Sequence, residues 1–318
     1  MSILLNDPGC AINSGNTGMP GCRFDPSLIV SAILVDKDTT YTLSTAAAFI
    51  SAMQTATKAA RASRSFPIHG FIEMADGSTE ATEKEYGYGS KKMTSEGKYI
   101  WTFTLGKGGH AYLQSLRKFN NDQDKRVLFI DSNNVVLGVK TGAATFKGFS
   151  LDSFYGKPFK MAQDKDNPAM YYITFSLKDP LELNDNLAYF DLGADPESSF
   201  QGLLDIEMHD LGAGSATKHQ VVGIRSIADK VALYDAYSTV VATNFASIFT
   251  ATKSGVAANP TACVVNAALK GWDLEFAATG EHVITCCNAA ALAALNIGND
   301  ADIGFDIETA GTLTVTIA

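Results

Sequence analysis

The sequence predicts a mainly β protein: an antiparallel β-sandwich with one or two flanking helices, followed by a second, smaller β-sandwich. Three observations carry this. Across KYIWTFTL, Tyr99, Trp101, Phe103 and Leu105 alternate with polar or small residues, the period of two that a strand with one buried face requires. Residues 127–130 and 135–139 are β-branched or aromatic arms around Asp131-Ser132-Asn133-Asn134, whose Asx side chains stabilise a hairpin turn. Near the end, Trp272, Leu274 and Phe276 alternate, as do Ile303, Phe305 and Ile307, and the chain closes on the strand LTVTI.

In chain order, residues 1–27 combine Gly, Asn and Pro turns with little apolar periodicity and read as an N-terminal arm. LIVSAILV (28–35), ended by the Asp-Lys-Asp turn at 36–38, and residues 39–43 read as a hairpin. From Thr45 to Ser63 the period changes to helical: Phe49, Ala52, Met53, Ala56 and Ala60 share a face, with Lys58, Arg61 and Arg64 near the end to complement the macrodipole. A strand is expected at 68–74. The polar, Gly-punctuated span 75–98 then reads as a long exposed loop or extended hairpin, and loops beyond about 12 to 15 residues are usually functional or disordered. After the strand at 99–105, Tyr112, Leu113, Leu116 and Phe119 mark a short amphipathic helix. Further strands are expected at 144–150, 157–161, 170–177 and 200–209. The Gly-rich, small-residue stretch 210–218 is the expected linker, which makes 28–209 the first domain and 219–318 the second. The second carries a local charge of −5, and an immunoglobulin-like sandwich of roughly 100 residues fits its length, although its Cys and Trp spacing does not fit an antibody-type domain.

The composition excludes several functions. With 46% hydrophobic and 19% charged residues the chain is globular, not disordered. A net charge of −9 disfavours a general nucleic-acid binder, which needs a clustered Lys/Arg surface to release counterions. No stretch approaches the roughly 18 to 20 apolar residues of a membrane span, and MSILLNDPGC lacks the plan of a secretory signal, so synthesis in a cytoplasm is expected. Cys10, Cys22, Cys263 and the vicinal Cys286 and Cys287 read as free thiols, because adjacent cysteines form no unstrained disulfide and none of the spacings is a zinc pattern.

No catalytic, cofactor or metal residues emerge. G-x-S-x-G and H-E-x-x-H are absent, and GKGGH at 106–110 lacks the spacing and hydroxyl of a phosphate loop. His69, His110, His209, His219 and His282 are scattered, with no pair at metal-ligand spacing. Asp300, Asp302 and Gly304 start like a calcium loop, but Gly311 stands where the bidentate Glu belongs. Within the long loop region, Glu73, Asp76, Glu80, Glu83 and Glu85 are interspersed with Lys84, Lys91, Lys92 and Lys98, a mixture that suits either a solvated edge or a contact between copies. Tyr86, Tyr88 and Trp272 are candidates for stacking on sugar rings, which would make the chain a carbohydrate-binding adhesive module.

The runs SFPIHGFIEMADGSTEATEKEYGYGS, EGKYIWTFTL, GGHAYLQSLRKFN and KRVLFIDSNNVVLGV resemble major tail tube proteins of long-tailed bacteriophages, over residues 28–209. The resemblance implies a sandwich with a flanking helix at 109–120, a ring-stacking loop at 75–98, and an immunoglobulin-like decoration after 218. It also implies a non-enzymatic virion protein that forms stacked, six-membered rings with copies of itself, contacts other tail proteins, and lets DNA pass without binding it. A capsid decoration or head fibre protein is the structural alternative.

Overall fold

The computed structural model describes residues 25–59, 63–106, 109–157, 170–200, 202–227, 230–295, 304–306 and 311–318. Residues 1–24 of the arm expected at 1–27, residues 158–161 of the strand expected at 157–161, and the Asp300/Asp302 turn lie outside the described residues. The chain is mainly β and antiparallel, as the alternation predicts. Along the chain it divides into two compact units, with the main boundary after Phe200 and the short stretch 58–62 assigned to the second.

The first unit runs through β1 (Ile29–Asp36), β2 (Tyr41–Thr42), α1 (Ala46–Thr57), β3 (Phe66–His69), β4 (Phe71–Asp76), β5 (Thr82–Tyr86), β6 (Ser90–Ser95), β7 (Ile100–Leu105) and α2 (Gly109–Leu116). It continues with β8 (Lys125–Asp131), β9 (Val135–Lys140), β10 (Thr145–Lys147), β11 (Phe149–Gly156), β12 (Tyr171–Leu177), α3 (Pro180–Asn184), β13 (Leu187–Asp191) and α4 (Pro196–Ser199). Eleven strands form one folded sheet in the order β2-β10-β9-β8-β11-β12-β7-β4, with β1 between β3 and β8 and with β13 on β9. β11 carries the sheet from one layer to the other: Phe149 and Ser150 pair with β8, and Leu151 to Gly156 pair with β12 across a register shift.

Two cores result, one on each face of the β1/β8/β9 layer. Ala32, Leu34, Val127 and Phe129 face Trp101, Phe103, Phe154 and Phe175 of the other layer. Their alternates Ile33, Val35, Leu128 and Ile130 face Phe49 and Met53 of α1. Burial on both faces is why AILV and VLFI are unbroken apolar runs while β7 alternates. The Thr45 side chain accepts the Ala48 N–H and starts α1. The helix ends at Thr57, so Arg64 lies beyond it and is buried rather than placed at its C-terminus.

Two expected strands are each divided at a glycine. At 68–74, Gly70 (φ +80°) separates β3, which pairs with β1, from β4, which pairs with β7. At 144–150, Gly148 separates β10 from β11. A Cβ there would lie 2.9 Å from Arg126 Cβ and 3.0 Å from the Val127 backbone. The hairpin at 125–140 forms as expected: Asp131 Oδ1 accepts the N–H groups of Asn133 and Val135, and Asn134 takes φ +63°.

The second unit contains β14 (Leu203–Ala213), β15 (His219–Ser226), α5 (Tyr234–Thr243), α6 (Phe245–Ile248), β16 (Phe249–Lys253), β17 (Val256–Ala257), β18 (Ala262–Asn266), β19 (Gly271–Glu275), β20 (Gly280–Cys286), α7 (Ala289–Ala294), β21 (Gly304–Asp306) and β22 (Thr312–Ile317). A five-stranded sheet, β18-β19-β15-β14-β21, and a four-stranded sheet, β17-β16-β20-β22, share one core built from Met208, Val222, Ile224 and Trp272 with Phe249, Ile284, Val315 and Ile317. Only β14 and β21 pair in parallel among the described residues of this unit.

The linker expected at 210–218 is instead part of a β-hairpin. Asp210 to Ala213 complete β14, and the turn to β15 is set by the left-handed Lys218 (φ +68°) and by Asp273, which accepts the Ser215 N–H at 3.0 Å. Small residues and glycine suit a tight turn as well as a linker. The boundary falls nine residues earlier, and all but the start of the strand expected at 200–209 belongs to the second unit, where it forms β14 from Leu203 onward. α5 also departs from the all-β expectation: its Val- and Thr-rich sequence is held as a helix by burial of Tyr234 and Val241 and by the Trp272 indole N–H donating to Ser238 O at 2.9 Å.

Candidate functional site

Among the described residues the histidines are dispersed, and most are engaged in contacts that hold the fold. Ser31 and His69 come closest to a catalytic pair. His69 Nε2 faces the Phe200 carbonyl, which can only accept, so Nδ1 accepts from the Ser31 hydroxyl at 2.9 Å. Ser31 is only 2% exposed, on the central strand β1, where no substrate reaches it. His219 Nδ1 meets Asp273 Oδ1 at 3.2 Å, while the second Asp273 oxygen is used by the Ser215 backbone, so the pair braces the β14–β15 turn. His282 is buried against Phe276, with Nδ1 donating to Gly280 O.

His209 lies across Gly223 of the paired strand, and its Nδ1 is buried with no hydrogen-bond partner. Burial, then the neighbouring Arg225 cation, push its pKa below the ordinary histidine value, against weaker opposing pulls from Glu207 and Asp210. The unfolded chain, titrating near about 6.5, therefore takes up the proton more readily, so the His209 contribution to stability is complete above that pH and is lost as pH falls below it. The second unit is expected to be less stable toward urea at about pH 5 than at about pH 7, and His209→Gln to flatten that slope. Glu207, held low by Lys230 and Arg225, acts in a separate window at more acidic pH.

Cys263, Cys286 and Cys287 are free thiols, and Cys10 and Cys22 lie outside the described residues. Burial pushes the Cys263 thiol up to about 12, and the hydrogen bond that the Cys286 S–H donates to Cys287, together with burial, raises Cys286 while the same bond lowers Cys287, so neither Cys263 nor Cys286 is a ready nucleophile. Among the described residues no three His, Cys, Asp or Glu side chains are grouped to hold a metal, and no helix is long and apolar enough to cross a membrane.

The feature that nothing in the fold accounts for is the β5–β6 hairpin. All eleven residues of its two strands are exposed, and its strands pair only with each other among the described residues. A two-stranded hairpin that buries no apolar face is marginal in water. Its root is firm, because the β4–β7 ladder continues through Gly77 N–H to Ile100 O (2.8 Å) and Thr79 N–H to Lys98 O (2.9 Å). Lys98 pairs with Asp152 at 3.2 Å, and Asn184 of α3 receives the Tyr99 hydroxyl and donates to Glu96. Gly97 is required there, since a Cβ would overlap the Thr79 carbonyl oxygen. Gly97→Ala is expected to open the root at a cost of about 1–3 kcal/mol, read as faster amide exchange at Thr79 and Lys98.

The register gives the hairpin two unlike faces. Lys84 stands opposite Lys92 and Tyr86 opposite Ser90; on the other face Glu83 meets Met93 and Glu85 meets Lys91. One face is basic and aromatic, with Lys84 Nζ 5.6 Å from the Tyr86 ring centre, and the other is net acidic. At the tip, Tyr88 is fully exposed and holds a left-handed φ of +72°, a conformation that costs a tyrosine roughly 1 kcal/mol. Trp272, by contrast, is completely buried, which removes it as a sugar-stacking residue. The polar span at 75–98 was legible as an exposed loop or hairpin; the root contacts to Asp152 and Asn184 left no local signal. Compared with known proteins, the chain matches no family model and no curated sequence.

Proposed function

We propose that this chain is a non-enzymatic virion protein, the subunit of a stacked-ring phage tail tube through which DNA passes without specific binding. The observation that carries the reading is the β5–β6 hairpin: a rooted, fully exposed element with a basic aromatic face, an acidic face and a strained tyrosine at its tip. Unlike faces on one element make contacts between copies head-to-tail, and head-to-tail contacts that do not close propagate into a stack. Like charges opposite each other, Lys84 and Lys92, weaken the free hairpin and are relieved by an acidic face from a neighbour. The net charge of −9 suits a wall that DNA slides past. In this reading the protein is made in a bacterial cytoplasm, forms six-membered rings, joins other tail proteins, and carries its second unit as an immunoglobulin-like decoration.

Negative-stain electron microscopy of the purified chain tests it. Rings or hollow tubes are expected; persistent monomers across a range of salt would overturn it, and trimers that bind capsids without stacking would select the head-decoration alternative. The exposure of Tyr86 and Tyr88 favours one further reading, a glycan-binding hairpin, which a glycan array without signal removes.

A further inference from the structure

The two sheets of the second unit each end in a strand with a single neighbour among the described residues: β18 pairs only with β19, and β17 only with β16. These edges are consecutive in the chain, and their apolar side chains face water. Val256 is 71% and Val264 62% exposed, with Val265 and Leu269 also exposed. Residues 254–269 contain no charged side chain. Sheet edges are ordinarily protected by lysines, prolines, bulges or a covering element, because an unpaired edge is a template for another strand. The five residues of β18 carry no charge and no proline.

We propose that β18 is a self-pairing edge, adding antiparallel to β18 of a second copy so that two five-stranded sheets become continuous. The occupant follows from charge and symmetry. Copies of a chain of net charge −9 repel one another, and this stretch lets two of them approach without apposing charges. Antiparallel pairing centred on Val264 sets Val264 against Val264, Cys263 against Val265 and Ala262 against Asn266, so β-branched residues meet across a two-fold axis. A strand this short buries far less than the roughly 1,200–2,000 Å² of a stable interface, so the contact is weak between free chains. It strengthens by effective concentration once other contacts hold the copies together. That strengthening rests on the self-assembly reading above; the strand pairing does not.

The test uses the full chain carrying Val264→Cys and Cys263→Ala, oxidised mildly at high protein concentration. A 264-to-264 disulfide, identified by peptide mass, is expected to form on the order of tenfold faster than the equivalent disulfide of a Val231→Cys control at another exposed site. Val264→Lys in the otherwise native chain is expected to weaken self-association by on the order of tenfold, with the circular dichroism and melting temperature unchanged. Cross-linking no faster than the control, or self-association indifferent to Val264→Lys, overturns the proposal, as does pairing only with a foreign strand. Repeating the cross-link in a chain lacking the β5–β6 hairpin separates the two readings. A persistent disulfide without tubes sinks the tube and keeps the edge, whereas tubes without the disulfide do the reverse.

Discussion

Replacing residues 82–95 by a short Gly-Ser turn is expected, under the proposed ring-stacking function, to abolish stacking while leaving the melting temperature of the first unit within about 2 °C of the parent. The hairpin strands are exposed throughout and their ladder is internal, so their removal uncovers no core. The root bonds at Gly77, Thr79, Lys98 and Ile100 lie outside the replaced segment and stay in place. What is lost is the pair of unlike faces and the Tyr88 tip, the only features of the hairpin that a neighbouring copy can use. Paired measurements decide it: calorimetry for stability, electron microscopy and sedimentation for assembly. A variant that still stacks would exclude the hairpin as the stacking element, and one that unfolds would make it structural.

Glu182→Ala is expected to destabilise the first unit by about 3–5 kcal/mol, the largest stability effect of a single polar change. Glu182 sits on α3 with its carboxylate almost fully buried. One oxygen accepts Arg126 Nη1 at 2.9 Å, and the other accepts the Ser150 backbone N–H at 2.6 Å and the Ser150 hydroxyl at 2.7 Å. Arg126 also donates to Gly148 O, so a single cluster ties β8, the glycine that separates β10 from β11, the start of β11, and α3. Truncation leaves a largely buried guanidinium and a backbone donor without their acceptor, and the low-dielectric surroundings make both costly. Glu182→Gln keeps the shape but turns an amide N–H toward a donor, and is expected to cost about half as much. Urea unfolding followed by Trp101 fluorescence, in a Trp272→Phe background, reads the first unit alone. A loss below about 1 kcal/mol would mean that water replaces the carboxylate.

Much of the strand content was legible because burial on one or two faces leaves a local signature. The alternation of Trp101, Phe103 and Leu105, the double-faced runs of β1 and β8, and the Asx turn at Asp131 each state their environment within a few residues. The division of two expected strands at Gly70 and Gly148 was not legible, since a glycine inside an apolar run marks a change of partner only when the neighbours are known. The same limit made the β14–β15 turn look like a linker. The difference between a hinge and a tight turn there is the Asp273 carboxylate, 58 residues away in sequence from Ser215.

By itself, then, the sequence determined that this protein is mainly β, that a polar span near residues 75–98 stands apart from the core, and that its cysteines and histidines form no recognisable motif. Those properties depend on side-chain period, local turn chemistry and spacing, which a single chain displays without its neighbours. The tertiary structure decided where one unit ends, that the region at 234–243 is helical, that Trp272 is core, and that 82–95 is a rooted hairpin with a basic and an acidic face. Each of these is set by which strands pair and in what register or by what packs against what, and, apart from the short hairpin itself, through contacts between residues tens of positions apart that leave no pattern along the chain.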